Sequence, residues 1–314
     1  MPLEVISRRR AIAQFLAMGT LAPGALMAGA PVLAQAITPP PTTLPQTQED
    51  RLRALDAAQR LTVQVEINGQ GPFPFLVDTG ANSSAISRAL ATSLGLRTEG
   101  KAMLHGIAGQ VLVDQVGVAS VRTPRRLVRD MRLALVDDAG MNAQGLLGRD
   151  WLGEANLLID YGRRRMVVGG ALPSPIGETV AVPMRVQRNG LALIEGAMPG
   201  GSVVSFLDSG SNATVGNLAL LEAARRHNVL LGETVAVDLF SITGQTLPGV
   251  LGVMSQVKVG GMWLHRLPVV MGPVHTFDYW GLKDEPALLI GADVLQKFTT
   301  IAWDYRRGEI RFTL

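Results

Sequence analysis

The stretch Phe73-Pro74-Phe75-Leu76-Val77-Asp78-Thr79-Gly80 has a near copy in Val203-Val204-Ser205-Phe206-Leu207-Asp208-Ser209-Gly210. In each, an apolar run of strand-forming residues ends on Asp, then a hydroxyl residue, then Gly. A carboxylate at the end of a buried strand is costly to desolvate. Its recurrence 130 positions later (208 − 78) points to two carboxylates arranged to meet. Such a pair shares one proton and can hold a water between its members, which suits hydrolysis by general acid and base.

Working outward, the chain overlays on itself. The first half reads as a strand over 61–67, a turn, a strand into Asp78 and a helical patch over 84–94. The second reads as a strand over 191–196, the turn Pro199-Gly200-Gly201, a strand into Asp208 and a helical patch over 218–227. Three more matches follow in order. His105-Gly106-Ile107-Ala108-Gly109-Gln110 answers to Ser241-Ile242-Thr243-Gly244-Gln245, and Leu146-Leu147-Gly148-Arg149-Asp150-Trp151-Leu152 to Leu289-Ile290-Gly291-Ala292-Asp293-Val294-Leu295. Leu158-Ile159-Asp160-Tyr161-Gly162-Arg163 answers to Ala302-Trp303-Asp304-Tyr305-Arg306-Arg307. A lone Asp-Ser/Thr-Gly is usually a surface turn; elements recurring in one order at similar spacing are not accidental. The boundary falls in the loop-forming stretch Ala171-Leu172-Pro173-Ser174-Pro175-Ile176-Gly177. The expected division is an export signal over 1–36, a linker over 37–57, and similar units over 58–172 and 173–314. Two such units facing each other would bring equivalent residues together, as in an isologous dimer.

Composition agrees with a packed β-rich chain. Of 314 residues, 47% are hydrophobic and 18% charged, which supports a core and excludes global disorder. Thirty-five Gly and 18 Pro favour strands joined by tight turns. The absence of Cys removes disulfides, thiolate nucleophiles and Cys-bound metals. His105, His227, His265 and His275 lack metal-ligand spacing and read as surface or loop residues. No phosphate-binding glycine motif opens a helix, so no cofactor and no metal are expected. The basic clusters Arg122-Arg125-Arg126-Arg129-Arg132 and Arg163-Arg164-Arg165 lack interleaved aromatics and read as solvated strand and turn residues, not a nucleic-acid surface.

Ser7-Arg8-Arg9-Arg10 precedes an uncharged stretch over 11–36 that closes on Ala34-Gln35-Ala36, the pattern of an export signal. The paired arginines resemble a bacterial twin-arginine signal, although Ala11 stands where an aromatic is usual, so the ordinary secretory route stays open. A periplasmic or secreted location is expected, with membrane contact only through this signal, either cleaved or kept as an anchor. Removing 1–36 takes away Glu4 and three Arg, so the net charge falls from +3 to +1 (3 − 2).

Residues 60–314 resemble the aspartic peptidases, specifically the retropepsin-like branch. Phe75-Leu76-Val77-Asp78-Thr79-Gly80-Ala81-Asn82 is similar to that family's catalytic strand and loop, and Gly145-Leu146-Leu147-Gly148-Arg149-Asp150 to the helix beneath it. The resemblance implies an all-β, bilobed acid-protease fold with short helices, its two lobes related by a pseudo-twofold within one monomer. It implies an aspartic endopeptidase acting on a peptide or protein, with Asp78 and Asp208 activating a water. Thr79, Ser209 and Ser211 would support the catalytic loops. Gly80 and Gly210 would let backbone approach the carboxylates. Asn82 and Asn212 would face substrate, beneath flaps formed by Gly106, Ile107, Ala108 and Gly109 and by Ile242, Thr243 and Gly244. Asn82 replaces an Asp usual in the family, so it cannot make an ion pair with Arg149. Ser211, facing Ala81 in the repeat, is expected to donate its hydroxyl to Asp208 and leave that residue the more negative. The aromatic stretch 275–280 would line a specificity pocket or cover the second unit. An inactive or self-processing peptide-binding protein of the same fold is the alternative.

Overall fold

Thr62–Ile67 and Gln70–Val77 form a hairpin around Asn68 and Gly69, whose φ of 51° and 78° suit a two-residue turn between twisted strands. The computed structural model to which they belong describes residues 4–6, 61–137, 141, 143–188, 190–241 and 243–314. The linker expected over 37–57 and nearly all of the export signal lie outside the described residues; Glu4–Ile6 run antiparallel to positions 263–265.

The chain is mostly β. Phe75, Leu76 and Val77 pair in parallel with Gly145, Leu146 and Leu147, so the apolar run ends in mid-sheet and Asp78 emerges at its end, its N–H donating to the Leu147 carbonyl at 3.0 Å. Burial on both faces explains why this run does not alternate. The sheet continues through Ala85–Ser87, Arg126–Val136, Gly109–Thr123 and Thr98–Gly106. Glu66 and Ile67 also pair with Arg122 and Val121, closing six strands into a ring with Thr98–Gly106 outside it.

A second sheet follows the same order. Ala192–Met198, Gly201–Leu207, Ala287–Ile290, Val215–Gly216, Met262–Met271 and Thr246–Val259 form its ring, which closes at Gly196 and Val259; Val235–Phe240 lies outside. A third sheet is shared: Arg165–Val168 and Leu157–Asp160 join Thr300–Asp304, Glu309–Thr313 and Thr179–Pro183. One apolar cluster, including Val77, Trp151 and Ile159 with Leu207, Trp303 and Ile301, runs through all three sheets.

Local signals explain the element ends. The first helical patch starts late: Ala85–Ser87 is strand, buried and parallel to positions 134–136, and the helix is Arg88–Ser93. Ser87 sets the start by accepting from Leu90 N at 3.1 Å, and Asn217 caps Leu218–Arg226 by accepting from Leu220 N at 2.8 Å. Asp160 and Asp304 close equivalent turns, their Oδ1 atoms accepting from Arg163 N at 2.9 Å and Arg307 N at 3.1 Å. Arg122, Arg125, Arg129 and Arg132 are exposed, whereas Arg126 is half-buried over the Trp151 ring and donates to its carbonyl at 2.8 Å.

Candidate active site

Each Asp leaves the sheet into a loop that turns back on its own carboxylate. Asp78 Oδ1 accepts from Gly80 N at 2.9 Å and Ala81 N at 2.8 Å; Asp208 Oδ1 accepts from Gly210 N at 2.8 Å and Ser211 N at 3.1 Å. These bonds fix both carboxylates and leave Oδ2 of each outside the loop's own bonds. A Cβ on Gly80 would lie 2.6 Å from Asp208 Oδ2, and one on Gly210 would collide with the Asp78 carboxylate. Each glycine is therefore the surface against which the other loop's acid rests.

The loops are joined by reciprocal hydrogen bonds. Thr79 Oγ1 donates to the Leu207 carbonyl at 2.7 Å and accepts from Ser209 N at 3.1 Å. Ser209 Oγ donates to the Val77 carbonyl at 2.6 Å and accepts from Thr79 N at 3.3 Å. Both hydroxyls are buried, so the loops are held by four bonds shielded from water.

Asp208 is buried and Asp78 half-buried. Burial, then the neighbouring Asp78 carboxylate and a hydrogen bond shared with it, hold the Asp208 carboxyl well above the usual carboxylate range. The expectation that Asp208 carries the negative charge rested on a bond from the Ser211 hydroxyl that the structure does not have. The Ser211 hydroxyl donates to the Ala213 carbonyl at 2.9 Å instead of to Asp208, so only its backbone N–H serves the carboxylate, as that of Ala81 does for Asp78.

Beneath the loops, two residues that motif reading passed over repeat one arrangement. Ser84 Oγ donates to Asp150 Oδ1 at 2.5 Å and accepts from Gly148 N at 3.0 Å; Thr214 Oγ1 donates to Asp293 Oδ1 at 2.8 Å and accepts from Gly291 N at 3.2 Å. Burial raises both Asp150 and Asp293, against hydrogen bonds that lower them. The Asn82 and Asn212 carbonyls accept from Asp150 N and Asp293 N, both at 3.2 Å, so these residues stand at the loop base with half-buried side chains. Arg149 is buried and reaches the other half of the chain, where its guanidinium packs over the Tyr305 ring at 5.2 Å and donates to its hydroxyl.

The two expected flap tips meet each other. Gly106 and Gly109 pair across the turn formed by Ile107 and Ala108, and a Cβ on Gly106 would strike Ser241 Oγ. Thr243 Oγ1 donates to Gln245 Oε1 at 3.1 Å, Gly244 N donates to the Ser241 carbonyl at 2.9 Å, and Ile242 lies outside the described residues. Leu104 and Val113 share an apolar cluster with Ala81, which sets the first hairpin over the Asp78 loop. The aromatic stretch forms the helix His275–Tyr279, and Phe277 and Trp280 fill an apolar cluster of the second half. It covers that half. Among the described residues no group of three or more His, Cys, Asp or Glu converges as metal ligands would.

Residues 63–151 match the family model of aspartyl proteases. That span holds Asp78, the hairpin tip at 106–109 and the Gly148-Arg149-Asp150 segment, and a domain of this family points to proteolysis. The second Asp loop lies beyond it. No curated protein matches the chain.

Proposed function

We propose that this chain is an aspartic endopeptidase whose two halves form similar lobes about a pseudo-twofold axis, with Asp78 and Asp208 as its catalytic pair. The observation that carries this reading is the reciprocal approach of the two Asp loops, each carboxylate resting on the other loop's glycine and the loops tied by the four Thr79 and Ser209 bonds. One carboxyl of the resting pair holds the shared proton and the other is the base; the deeper burial of Asp208 favours it as the holder. Asp78 takes a proton from a bound water as the water oxygen attacks the peptide carbon, while Asp208 gives its proton to the carbonyl oxygen. Collapse of the resulting diol breaks the C–N bond as Asp78 passes its proton to the leaving amine and a diol hydroxyl gives its proton back to Asp208.

The substrate is an extended peptide, added as a strand beneath the flaps, with apolar side chains at the cut. The enzyme works outside the cytoplasm, a reading that rests on Ser7-Arg8-Arg9-Arg10 and the apolar stretch after it. The test is incubation of the purified protein with a mixed peptide library, with and without pepstatin, beside Asp78→Asn and Asp208→Asn. Cutting that pepstatin and both substitutions abolish is the expected result. Equal cutting by the wild type and either variant would exclude the pair.

A further inference from the structure

The hairpin of Thr98–Gly106 and Gly109–Thr123 belongs to the first half of the chain, yet the second half holds its tip. His105 Nδ1 lies 3.0 Å from His275 Nε2, with the rings 10° from parallel. The His105 ring also rests on Tyr279, centroid to centroid 4.2 Å. Two residues on, the Ile107 carbonyl accepts from His275 N at 2.9 Å, and the Ile107 side chain packs on the cluster containing Phe277 and Trp280. His275 therefore grips the strand with its ring and the tip with its backbone.

A hydrogen bond between two imidazole nitrogens needs one N–H and one bare lone pair. Two neutral rings satisfy it, and so does a pair with one added proton. With both rings protonated every ring nitrogen carries hydrogen, no acceptor remains, and two cations face each other. The surroundings do not offset that repulsion. Opposite His105 stands the uncharged Gln110, and Lys101 pairs with Asp114 at 4.0 Å further down the hairpin. The arginines of Arg126–Val136 that pair with that hairpin do so at its far end, with positions 117–123. Asp278, on the helix of His275, is engaged with Lys283 at 3.9 Å; Ser241 and Thr243, against Gly106, are neutral. Burial and then His275 hold His105 below its ordinary value, so the fold favours the neutral ring.

We propose that His105 and His275 form a proton-operated latch on the flap, shut while either ring is neutral and released when both are charged. This rests on reading 106–109 as the cover of the Asp78–Asp208 cleft. His105 and His275 are positioning residues: they act on the flap, not on the peptide bond. The sign follows from the depressed His105. The doubly charged pair cannot form until pH falls through that lowered value, so the contact holds above it and release lies below it. Release thus comes on the acidic side of the ordinary histidine range, where a carboxylate pair sharing one proton is in its working form. The latch would keep the cleft covered at neutral pH and open it in acid.

The test is hydrogen exchange of the amides of 106–109 in the full chain carrying Asp78→Asn. Exchange is read on the free protein and requires no cleavage, so the result does not depend on the peptidase reading. After correction for the intrinsic pH dependence of exchange, protection should fall on the order of tenfold from neutral to acidic pH. His105→Gln and His275→Gln, which keep a polar side chain but cannot titrate there, should each remove that fall. Protection over Gln70–Val77, measured together, reports whether each variant is folded. Flat protection with both histidines present overturns the proposal, and so does an undiminished fall in either folded variant.

Discussion

The Thr79 hydroxyl donates at 2.7 Å to the carbonyl of Leu207, 128 residues away, and the Ser209 hydroxyl returns the bond to Val77 at 2.6 Å. Each hydroxyl also accepts the other's backbone N–H. Thr79→Val keeps the shape but leaves the Leu207 carbonyl and the Ser209 N–H buried without partners. The expected loss is about 1–3 kcal/mol of folding stability, the cost of unsatisfied buried groups, with a larger proportional loss of cutting. Thr79→Ser keeps the hydroxyl and should recover most of both. Urea denaturation and peptide cleavage of the two variants check this.

Gly210 serves the site by what it lacks. Its N–H is tied to Asp208 Oδ1, so an added Cβ cannot swing clear and must displace the Asp78 carboxylate. Gly210→Ala should lower kcat by about 100-fold or more, as a shift near 1 Å in a catalytic group does. Gly261→Ala is the control, because its nearest neighbour would be Val180 Cγ1 at 3.6 Å and its φ is not left-handed. Activity in Gly210→Ala equal to that of the control would show that the carboxylate does not need that space.

The Asp loops were legible because two constraints coincide there: a run apolar on both faces, needed by a central strand, and a charge at its end, tolerable only with partners. Repetition made the pattern readable without structure. Ser84 and Thr214 escaped notice although each lies six positions after its Asp (84 − 78 and 214 − 208), since a buried hydroxyl looks like any loop Ser or Thr. The Ser211 rotamer was beyond reach, as Asp208 Oδ1 and the Ala213 carbonyl compete for one hydroxyl and only geometry decides. The helix start at Arg88 was blurred because Ala85 and Ile86 suit a helix as well as a strand; pairing with Ala134 and Leu135 settles it. His105 and His275 are 170 residues apart and share no spacing rule, so their meeting is a property of the fold.

Arg149 joins the first Asp loop to the second half. Its backbone N–H donates to the Ala81 carbonyl at 2.8 Å, and its guanidinium reaches the Tyr305 hydroxyl. Among the described residues no acceptor meets its buried Nε, so the hydroxyl carries much of the compensation for a buried charge. Tyr305→Phe should therefore cost about 1–3 kcal/mol of stability while keeping the ring beneath the cation. Since Tyr305 does not touch the carboxylates' own hydrogen bonds, kcat in the folded fraction should stay near wild type. Denaturant midpoints with cleavage rates measured well below them separate the two effects.

Asp208 makes stability and activity pull in opposite directions. Its carboxyl is raised by burial and by Asp78, so the fold prefers it protonated. A carboxyl raised on folding contributes stability that is complete below its unfolded value and is lost as pH rises through the folded one. The wild type should lose stability from acid toward neutral pH through this group, as the second proton leaves and like charges face each other. Asp208→Asn removes both the titration and the repulsion while leaving an oxygen to accept from Gly210 N and Ser211 N. The variant should not cut peptides, yet its Tm at neutral pH should exceed that of the wild type, with the gap closing in acid. Thermal unfolding across that pH range, each protein free of substrate, checks the prediction; a gap that widens in acid would mean that Asp208 is charged in the folded pair and Asp78 holds the proton.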